Sequence, residues 1–263
     1  MSREPVEGSG LRATAARWRK RLRASLPTRE HGTCAGIAVP PAAAAPRKPL
    51  DRLRGLDTPE ASSFEGALAS VHREHTRPGD RVVVVGGGFG VTTVAAARAG
   101  ASVTVYEASA DRLAALRRTL RLNGVDAERV TLRQAVVGEL AEAEAAEKGL
   151  NTDVPTVAPA DLPDCDVLEL DCEGAERTVL EGLSATDSRP RLVAVEVHPI
   201  KLGGSPGEVL DLLDSMGYEP VEWLTHDGAA ITREQFERLL AGETPEVTGP
   251  DHQEFPPVVV AER

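Results

Sequence analysis

A run of valines leads directly into a loop that has glycine at every second position. The segment Val82–Gly90 reads VVVVGGGFG, and a helical pattern opens immediately after it. Glycines at 86, 88 and 90 let the backbone approach a ligand closely, and the N–H groups of a helix that begins there point toward an anionic or polar ligand. The sequence therefore predicts a ligand-binding loop between the first strand of a sheet and the helix that follows it.

The spacing of these glycines distinguishes between two classes of nucleotide ligand. A dinucleotide fingerprint G-x-G-x-x-G would need its third glycine at Val91 or Thr93, so that pattern fails. The spacing G-x-G-x-G is instead that of class I sites for S-adenosylmethionine. Glu107 ends the next strand, where a carboxylate can accept hydrogen bonds from both ribose hydroxyls of an adenosine. The alternatives are a glycine-rich turn in another doubly wound protein and a solvent-exposed Glu107.

Acidic residues and a histidine end two later strands. The fourth predicted strand ends in LELDCEGAE (168–176), and the fifth ends in VEVHP (195–199). An unpaired carboxylate in a sheet buried on both faces costs several kcal/mol, so charges at these positions are either paired or functional. Glu173 and Glu176 suit the first turn of a helix, and we interpret them as structural. We interpret the other three side chains as functional: Asp171, Glu196 and His198.

Strand and helix patterns alternate around these motifs. Strands are predicted at 81–86, 102–107, 129–134, 165–171 and 191–197, with a last pair at 219–224 and 256–263. Helices are predicted at 92–99, 109–122, 174–183 and 206–216. Near-continuous Val/Leu strands separated by helices are typical of a parallel sheet covered on both faces. The predicted fold class is therefore α/β, a doubly wound Rossmann-like sheet.

The N-terminal region differs in charge from the rest of the chain. Residues 1–50 hold ten of the 30 Lys and Arg but three of the 41 Asp and Glu, which gives them a net charge of +7 and the remainder −18. Apolar spacing predicts an amphipathic helix over 11–26, which packs on the acidic domain or, alternatively, lies on a membrane surface. A Pro/Ala-rich linker follows at 36–49. We predict an arm over 1–57 and one domain over 58–263.

Composition excludes several classes of protein. The sequence has no run of 18 apolar residues, so a membrane-spanning helix is not expected. Three scattered cysteines predict neither a disulfide framework nor a metal site, and they favour a reducing, cytoplasmic location. An acidic domain repels phosphate backbones, so no nucleic acid partner is expected. High Asp and Glu with little Lys is also typical of a halophilic organism, in which case the acidity reflects the solvent.

Over residues 58–262 the chain resembles the FkbM-type methyltransferases, which use S-adenosylmethionine mostly to O-methylate sugars and other natural-product hydroxyls. The resemblance depends on the glycine loop and on the segments VTVYEAS, LRLNGV, LELDCEGAE and VAVEVHP, which occur in the family's order. It implies a seven-strand sheet with a reversed last strand. It also implies that four residues hold the cofactor: Gly86, Gly88, Gly90 and Glu107. We add three of their neighbours to this predicted cofactor site: Phe89, Ala108 and Ala135. The substrate would face the remaining three: Asp171, Glu196 and His198.

Three positions depart from the family pattern. Val84 stands where an acidic residue is usual, Gly88 where Asn is usual, and Glu169 where Lys is typical. Loss of one charged hydrogen bond to the cofactor would cost about 1.5–3 kcal/mol, or about 10- to 150-fold in affinity. Aligned strand ends would place Glu169 beside Glu196, and we predict that these two carboxyl groups share a proton or a cation.

The leading functional prediction is an S-adenosylmethionine-dependent O-methyltransferase with a small-molecule or glycan substrate. His198 is the predicted general base for a hydroxyl acceptor, oriented by Asp171 or Glu196, whereas a carboxylate acceptor would need no base. No role is assigned to the other histidines, among them His72. One alternative is a catalytically silent relative that binds a nucleoside or glycan partner. RNA methylation is the third, and the D-C-E-G motif and the acidic domain argue against it.

Overall fold

The computed structural model describes residues 33–40, 65–138, 153–199, 207–242 and 256–263. The amphipathic helix predicted over 11–26 and the domain boundary predicted after residue 57 lie outside these ranges. None of the helices within them is long and apolar enough to span a membrane.

The strands form one large sheet and two short pairs. They are β1 (Thr33–Cys34), β2 (Ile37–Ala38), β3 (Arg81–Val85), β4 (Ser102–Tyr106), β5 (Val130–Arg133), β6 (Val136–Val137), β7 (Thr156–Val157), β8 (Val167–Leu170), β9 (Leu192–Glu196), β10 (Glu219–Leu224) and β11 (Val258–Glu262). The seven-stranded sheet has the order β10-β11-β9-β8-β3-β4-β5. β11 is antiparallel to both of its neighbours, whereas the other neighbouring pairs are parallel. The predicted fold class and the reversed last strand are therefore confirmed.

Helices cover both faces of this sheet. They are α1 (Gly66–His75), α2 (Val91–Arg98), α3 (Ala110–Leu122), α4 (Glu176–Ser184), α5 (Gly207–Ser215) and α6 (Arg233–Leu240). Val82 and Val84 of β3 pack with α1, α2 and α3, while Val83 and Val85 pack in a second cluster with α4, α5 and α6. Because successive side chains of a strand point to opposite faces, one apolar run supplies both cores.

Residues 33–39 correct the prediction of a linker that starts at residue 36. β1 and β2 pair as an antiparallel hairpin, and Cys34, Ile37 and Val39 are buried in the core beside α2 and α3. The side chain of Asn123, which caps the end of α3, bonds to both the N–H (3.2 Å) and the carbonyl (2.8 Å) of Ala38. The apolar residues of this short segment therefore belong to the domain core.

Strand register determines which side chains meet at the carboxyl edge of the sheet. Leu170 of β8 is the register partner of Val195 of β9. The residues that follow these two, Asp171 and Glu196, therefore lie next to each other. Since parallel strands end at one edge, the glycine loop after β3 lies at the same edge, with Gly86 next to the carbonyl group of Asp171.

Candidate cofactor and acceptor site

The glycine loop joins β3 to α2 in a conformation that few other residues could adopt. Gly86 has φ +97°, and a Cβ atom there would lie 1.7 Å from the carbonyl oxygen of Asp171. A Cβ at Gly90 would lie 2.7 Å from Leu116 of α3. These two glycines are required because the chain itself packs against them. At Gly88 a Cβ would approach the side chain of Glu65 alone, at 3.1 Å.

Glu107 lies at the end of β4, where the sequence predicted it, and is 5% exposed. Its Oε2 accepts a hydrogen bond from the Gly88 N–H (2.9 Å) and its Oε1 accepts one from the Ser109 N–H (2.6 Å). Burial raises the pKa of Glu107, while these two N–H groups and Arg112 oppose that rise. A carboxylate oxygen has two lone pairs, so each oxygen retains an acceptor position for a ribose hydroxyl.

The other predicted cofactor residues surround Glu107 or belong to the loop. Ala135 is buried and its N–H donates to the Glu107 carbonyl at 3.3 Å. The Ala108 carbonyl accepts from the Gln134 side chain at 3.4 Å. Phe89 is partly buried within the glycine loop. The structure therefore brings these residues to one edge of the sheet, and their contact with a cofactor stays a prediction.

The carboxyl pair at this edge is Asp171 with Glu196, and the predicted pair of Glu169 with Glu196 is wrong. The strand ends are offset by two residues from the expected alignment, so Glu169 lies beside Ala194. Burial and the neighbouring negative charges raise the pKa of both Asp171 and Glu196, which are hydrogen-bonded to each other. Two carboxyl groups in such contact share a proton.

His198 approaches this pair, but a different acidic residue orients its ring. Its Nδ1 donates to Glu176 Oε1 at 2.8 Å, while Nε2 lies 3.7 Å from Asp171 Oδ1. Glu176 is fully buried, and both of its oxygens also accept from the Gly174 N–H at 3.1 Å. The prediction that Asp171 or Glu196 orients His198 is therefore corrected. Glu176 was missed because an acidic residue in a first helical turn has an adequate structural explanation.

The ligand atoms of three of these side chains lie within 4.8 Å of one another: Asp171, Glu196 and His198. Two carboxylates and an imidazole at this spacing could also hold a divalent cation, although the sequence predicted no metal ligands.

Glu169 lies in the core next to this site, in contact with two helices. It is 1% exposed; its Oε2 accepts from His72 Nε2, and its Oε1 accepts from Thr92 Oγ1 at 2.8 Å. His72 is equally buried, and its Nδ1 shares a hydrogen bond of 2.9 Å with Thr76 Oγ1. His72 thus has the structural role that the sequence left unassigned.

Two of the departures from the family pattern fall on neighbouring positions. Val84 of β3 and Glu169 of β8 are register partners, and parallel partners point to the same face of a sheet. An acidic residue at 84 and a Lys at 169 would therefore lie side by side. In this chain position 84 is the apolar Val84, which packs in the core. Glu169 is acidic and takes its basic partner, His72, from α1 instead.

Glu65 is a site residue that the sequence did not reveal. It directly precedes α1, in a left-handed conformation with φ 55° and ψ 25°, and its side chain reaches the glycine loop. The Thr92 N–H at the start of α2 donates to its carboxyl group. No motif in the sequence marks Glu65 as a site residue.

Carboxyl groups outnumber basic groups at this edge of the sheet. Arg112 in the first turn of α3 donates to Glu173 Oε1 at 3.1 Å and lies close enough to Glu107 to oppose the rise of its pKa. Beyond this edge lies the core pair of His72 and Glu169. Such an excess of negative charge attracts cationic ligands and repels anionic ones.

Comparison with known proteins finds one family that matches part of the chain. Residues 150–220 match the family described as the methyltransferase FkbM domain, and this segment contains LELDCEGAE and VAVEVHP. The resemblance predicted from the sequence is confirmed over that segment. No curated protein matches the chain.

Solved structures with a similar fold include two methyltransferases. The magnesium protoporphyrin IX methyltransferase of Synechocystis PCC 6803, with bound S-adenosylmethionine, is 14% identical over 74% of this chain and 76% of its own, with a TM-score of 0.47. The C-terminal domain of precorrin-6Y C5,15-methyltransferase from Rhodobacter capsulatus is 15% identical over 73% and 84%, with a TM-score of 0.43. Both scores lie below 0.5, so neither similarity indicates an activity for this chain.

Proposed function

We propose that this chain, whose residues 150–220 match the FkbM methyltransferase domain, is an S-adenosylmethionine-dependent methyltransferase that acts on a hydroxyl group of a sugar or another small molecule. One observation carries the proposal. The hydrogen bond of 2.8 Å between His198 and the buried Glu176 lies at the same sheet edge as the glycine loop and Glu107. A base for a hydroxyl acceptor and a loop for an adenosine ligand are thus adjacent.

The residues of the glycine loop fit the cofactor. Gly88 has φ +48°, and the space that its missing side chain leaves is bounded by a carboxyl group, which suits a cationic ligand. Glu107 would accept the ribose hydroxyls, and the loop residues with Ala108 and Ala135 would enclose the adenosine. When bound, S-adenosylmethionine supplies a methyl group that its positively charged sulfur already activates.

His198 would accept the proton of the acceptor hydroxyl. Because Nδ1 donates its proton to Glu176, the lone pair of the neutral ring is on Nε2. Transfer of the hydroxyl proton to Nε2 would leave the acceptor oxygen as the nucleophile. Glu176, and Asp171 at 3.7 Å from Nε2, stabilise the imidazolium that results.

The pair of Asp171 and Glu196 would position the acceptor and select its charge. The shared proton lies between the two carboxyl groups, so the pair offers acceptor lone pairs to a ligand, which suit the O–H of a second hydroxyl of a polyhydroxylated substrate. Negative charge at this edge repels carboxylate or phosphate acceptors. We therefore favour neutral hydroxyl acceptors over the carboxylate acceptor that the sequence left open.

Calorimetric titration tests the cofactor part of the proposal. Wild-type protein should bind S-adenosylmethionine and S-adenosylhomocysteine, and Glu107→Gln should weaken both about 10- to 100-fold, because one charged acceptor is lost. The exposed Asp111→Asn on α3 is the matched control and should bind as wild type does. A folded wild-type protein that binds neither ligand would overturn the proposal and favour the silent binding protein.

Transfer of a radiolabelled methyl group to neutral glycosides tests the catalytic part. His198→Gln should lower kcat about 100-fold or more while leaving the affinity for S-adenosylhomocysteine unchanged, since a general base contributes about 10²- to 10⁴-fold. His75→Gln on α1 is the control, because His75 bonds to Glu222 away from the loop. Full activity of His198→Gln would exclude His198 as the base.

A further inference from the structure

Glu65 reaches the glycine loop from a separate element of the fold. Its Oε1 lies 3.1 Å from the position that a Cβ of Gly88 would occupy, and the Thr92 N–H donates to its carboxyl group. Gly88 has no side chain to fill this space, so the carboxyl group borders the loop directly. Glu65 itself is partly buried.

Gly88 lies between two carboxyl groups with different geometric roles. The Gly88 N–H donates to Glu107 Oε2 at 2.9 Å. Glu65 instead lies on the side of Gly88 toward which a Cβ atom of that residue would point. A ligand whose ribose is held by Glu107 and which extends along the loop past Gly88 therefore reaches Glu65. In S-adenosylmethionine and S-adenosylhomocysteine, the part that extends away from the ribose ends in an amino acid with an α-ammonium group.

We propose that Glu65 binds the α-ammonium group of the cofactor and so supplies, from the start of α1, the carboxylate that Val84 does not provide. This inference rests on the proposed function. A charge-assisted hydrogen bond from an ammonium group to a carboxylate is among the stronger polar contacts in proteins. Glu65 would contribute to cofactor binding and not to proton transfer, because it would hold the end of the cofactor remote from the acceptor.

The surroundings of Glu65 favour a cationic ligand. Burial raises the pKa of Glu65 to about 8, and the negative charges of Asp171 and Glu169 add to the rise. Arg112 and the Thr92 N–H oppose it. Two further groups interact with Glu65 electrostatically: Glu196 and Cys34. An ammonium group that arrives beside Glu65 favours the ionised form, so binding should release a proton near neutral pH.

A purely structural role for Glu65 is the competing explanation. Its carboxyl group accepts from an N–H in the first turn of α2, which is also what a helix-capping group does. If Glu65 only caps α2, loss of its charge alters the conformation of the loop and should weaken the binding of every ligand by the same factor. An ammonium-binding role predicts a loss that is confined to ligands with the amino-acid end.

Two ligands that differ in that end separate these roles by calorimetry. S-Adenosylhomocysteine carries the α-ammonium group, and 5′-methylthioadenosine lacks the amino acid but keeps the adenosine. Glu65→Gln should weaken S-adenosylhomocysteine about 10- to 100-fold and change 5′-methylthioadenosine less than about twofold. Glu107→Gln should weaken both ligands, and Glu74→Gln, exposed near the other end of α1, should weaken neither.

Proton release gives a second readout, because titrations in buffers of different ionisation enthalpy count the protons that binding liberates. Wild-type protein should release a fraction of a proton on binding S-adenosylhomocysteine at pH 7, and Glu65→Gln should release less. Equal losses for both ligands in a folded Glu65→Gln protein, or unchanged affinity for S-adenosylhomocysteine, would overturn the role of Glu65 while leaving the proposed function intact. A wild-type protein that binds neither ligand would overturn both.

Discussion

Replacing Glu169 by leucine should destabilise the fold strongly, because the change leaves His72 buried without its partner. Both side chains are 1% exposed, and both carboxylate oxygens of Glu169 are hydrogen-bonded, one to His72 and one to Thr92. Removing one partner of a buried polar pair costs about 2–5 kcal/mol. Replacing both partners by apolar residues of similar volume is close to neutral.

A double-mutant cycle measures the coupling energy between Glu169 and His72 from four proteins: the wild type, the two single variants and the double variant. Glu169→Leu and His72→Leu should each lower the free energy of unfolding by about 2–5 kcal/mol, and the double variant should lose much less than their sum. The coupling energy should therefore be at least about 2 kcal/mol. Urea denaturation followed by circular dichroism measures it, provided that the m values of the four proteins agree.

A second pair on the same helix serves as the matched control. His75 of α1 bonds to Glu222 of β10 at 3.0 Å, but the two side chains are 20% and 30% exposed. Because exposed pairs contribute about 1 kcal/mol or less, the cycle of His75→Leu and Glu222→Leu should show weak coupling. Equal coupling in both cycles, or coupling below about 0.5 kcal/mol between His72 and Glu169, would refute the buried contact.

Three further predictions follow from the described residues. Gly86→Ala should lower the free energy of unfolding by about 3 kcal/mol or more, since its Cβ would lie 1.7 Å from the Asp171 carbonyl, whereas Gly124→Ala, with open space around it, should lose about 1 kcal/mol in urea denaturation. Glu65 holds its proton more tightly in the folded protein, with a pKa of about 8 against an ordinary 4.5, so its contribution to stability is lost as pH rises through that range. Glu65→Gln should therefore be more stable than wild type by about 4 kcal/mol at pH 8 and nearly equal to it near pH 4.5, and a lower melting temperature of the variant at pH 8 would contradict this. Burial raises the pKa of Cys165 to about 12, so its alkylation by iodoacetamide at pH 8 should be far slower than that of a free thiol, as peptide mass spectrometry would show.

The proposed ammonium site would explain why a destabilising carboxyl group stands beside the loop. Glu65 lies near Asp171 and Glu169, and each of these negative charges disfavours its ionised form. A bound cation would offset that repulsion. Binding sites commonly retain groups that lower the stability of the free protein, since the ligand provides the compensating interaction.

Local patterns in the sequence were sufficient to predict the sheet and the edge that carries the glycine loop. The valines of β3 and the glycines after it predicted the strand, the loop and the start of the next helix. These signals are sufficient because an apolar run and the spacing of glycines determine the conformation of the residues that carry them. Glu107 could be placed because it ends the next strand along the chain, and one of the two N–H groups that bond to its carboxylate belongs to Ser109, two residues further on.

Only the tertiary structure decided which charged groups meet. The contact of His198 with Glu176 joins residues 22 positions apart, and that of His72 with Glu169 joins residues 97 positions apart. A shift of two residues in the register of β8 against β9 replaces Glu169 with Asp171 as the partner of Glu196, without any change in the apolar pattern of either strand. Composition and periodicity are the same for both registers, so the packing of helices and strands selects the partners.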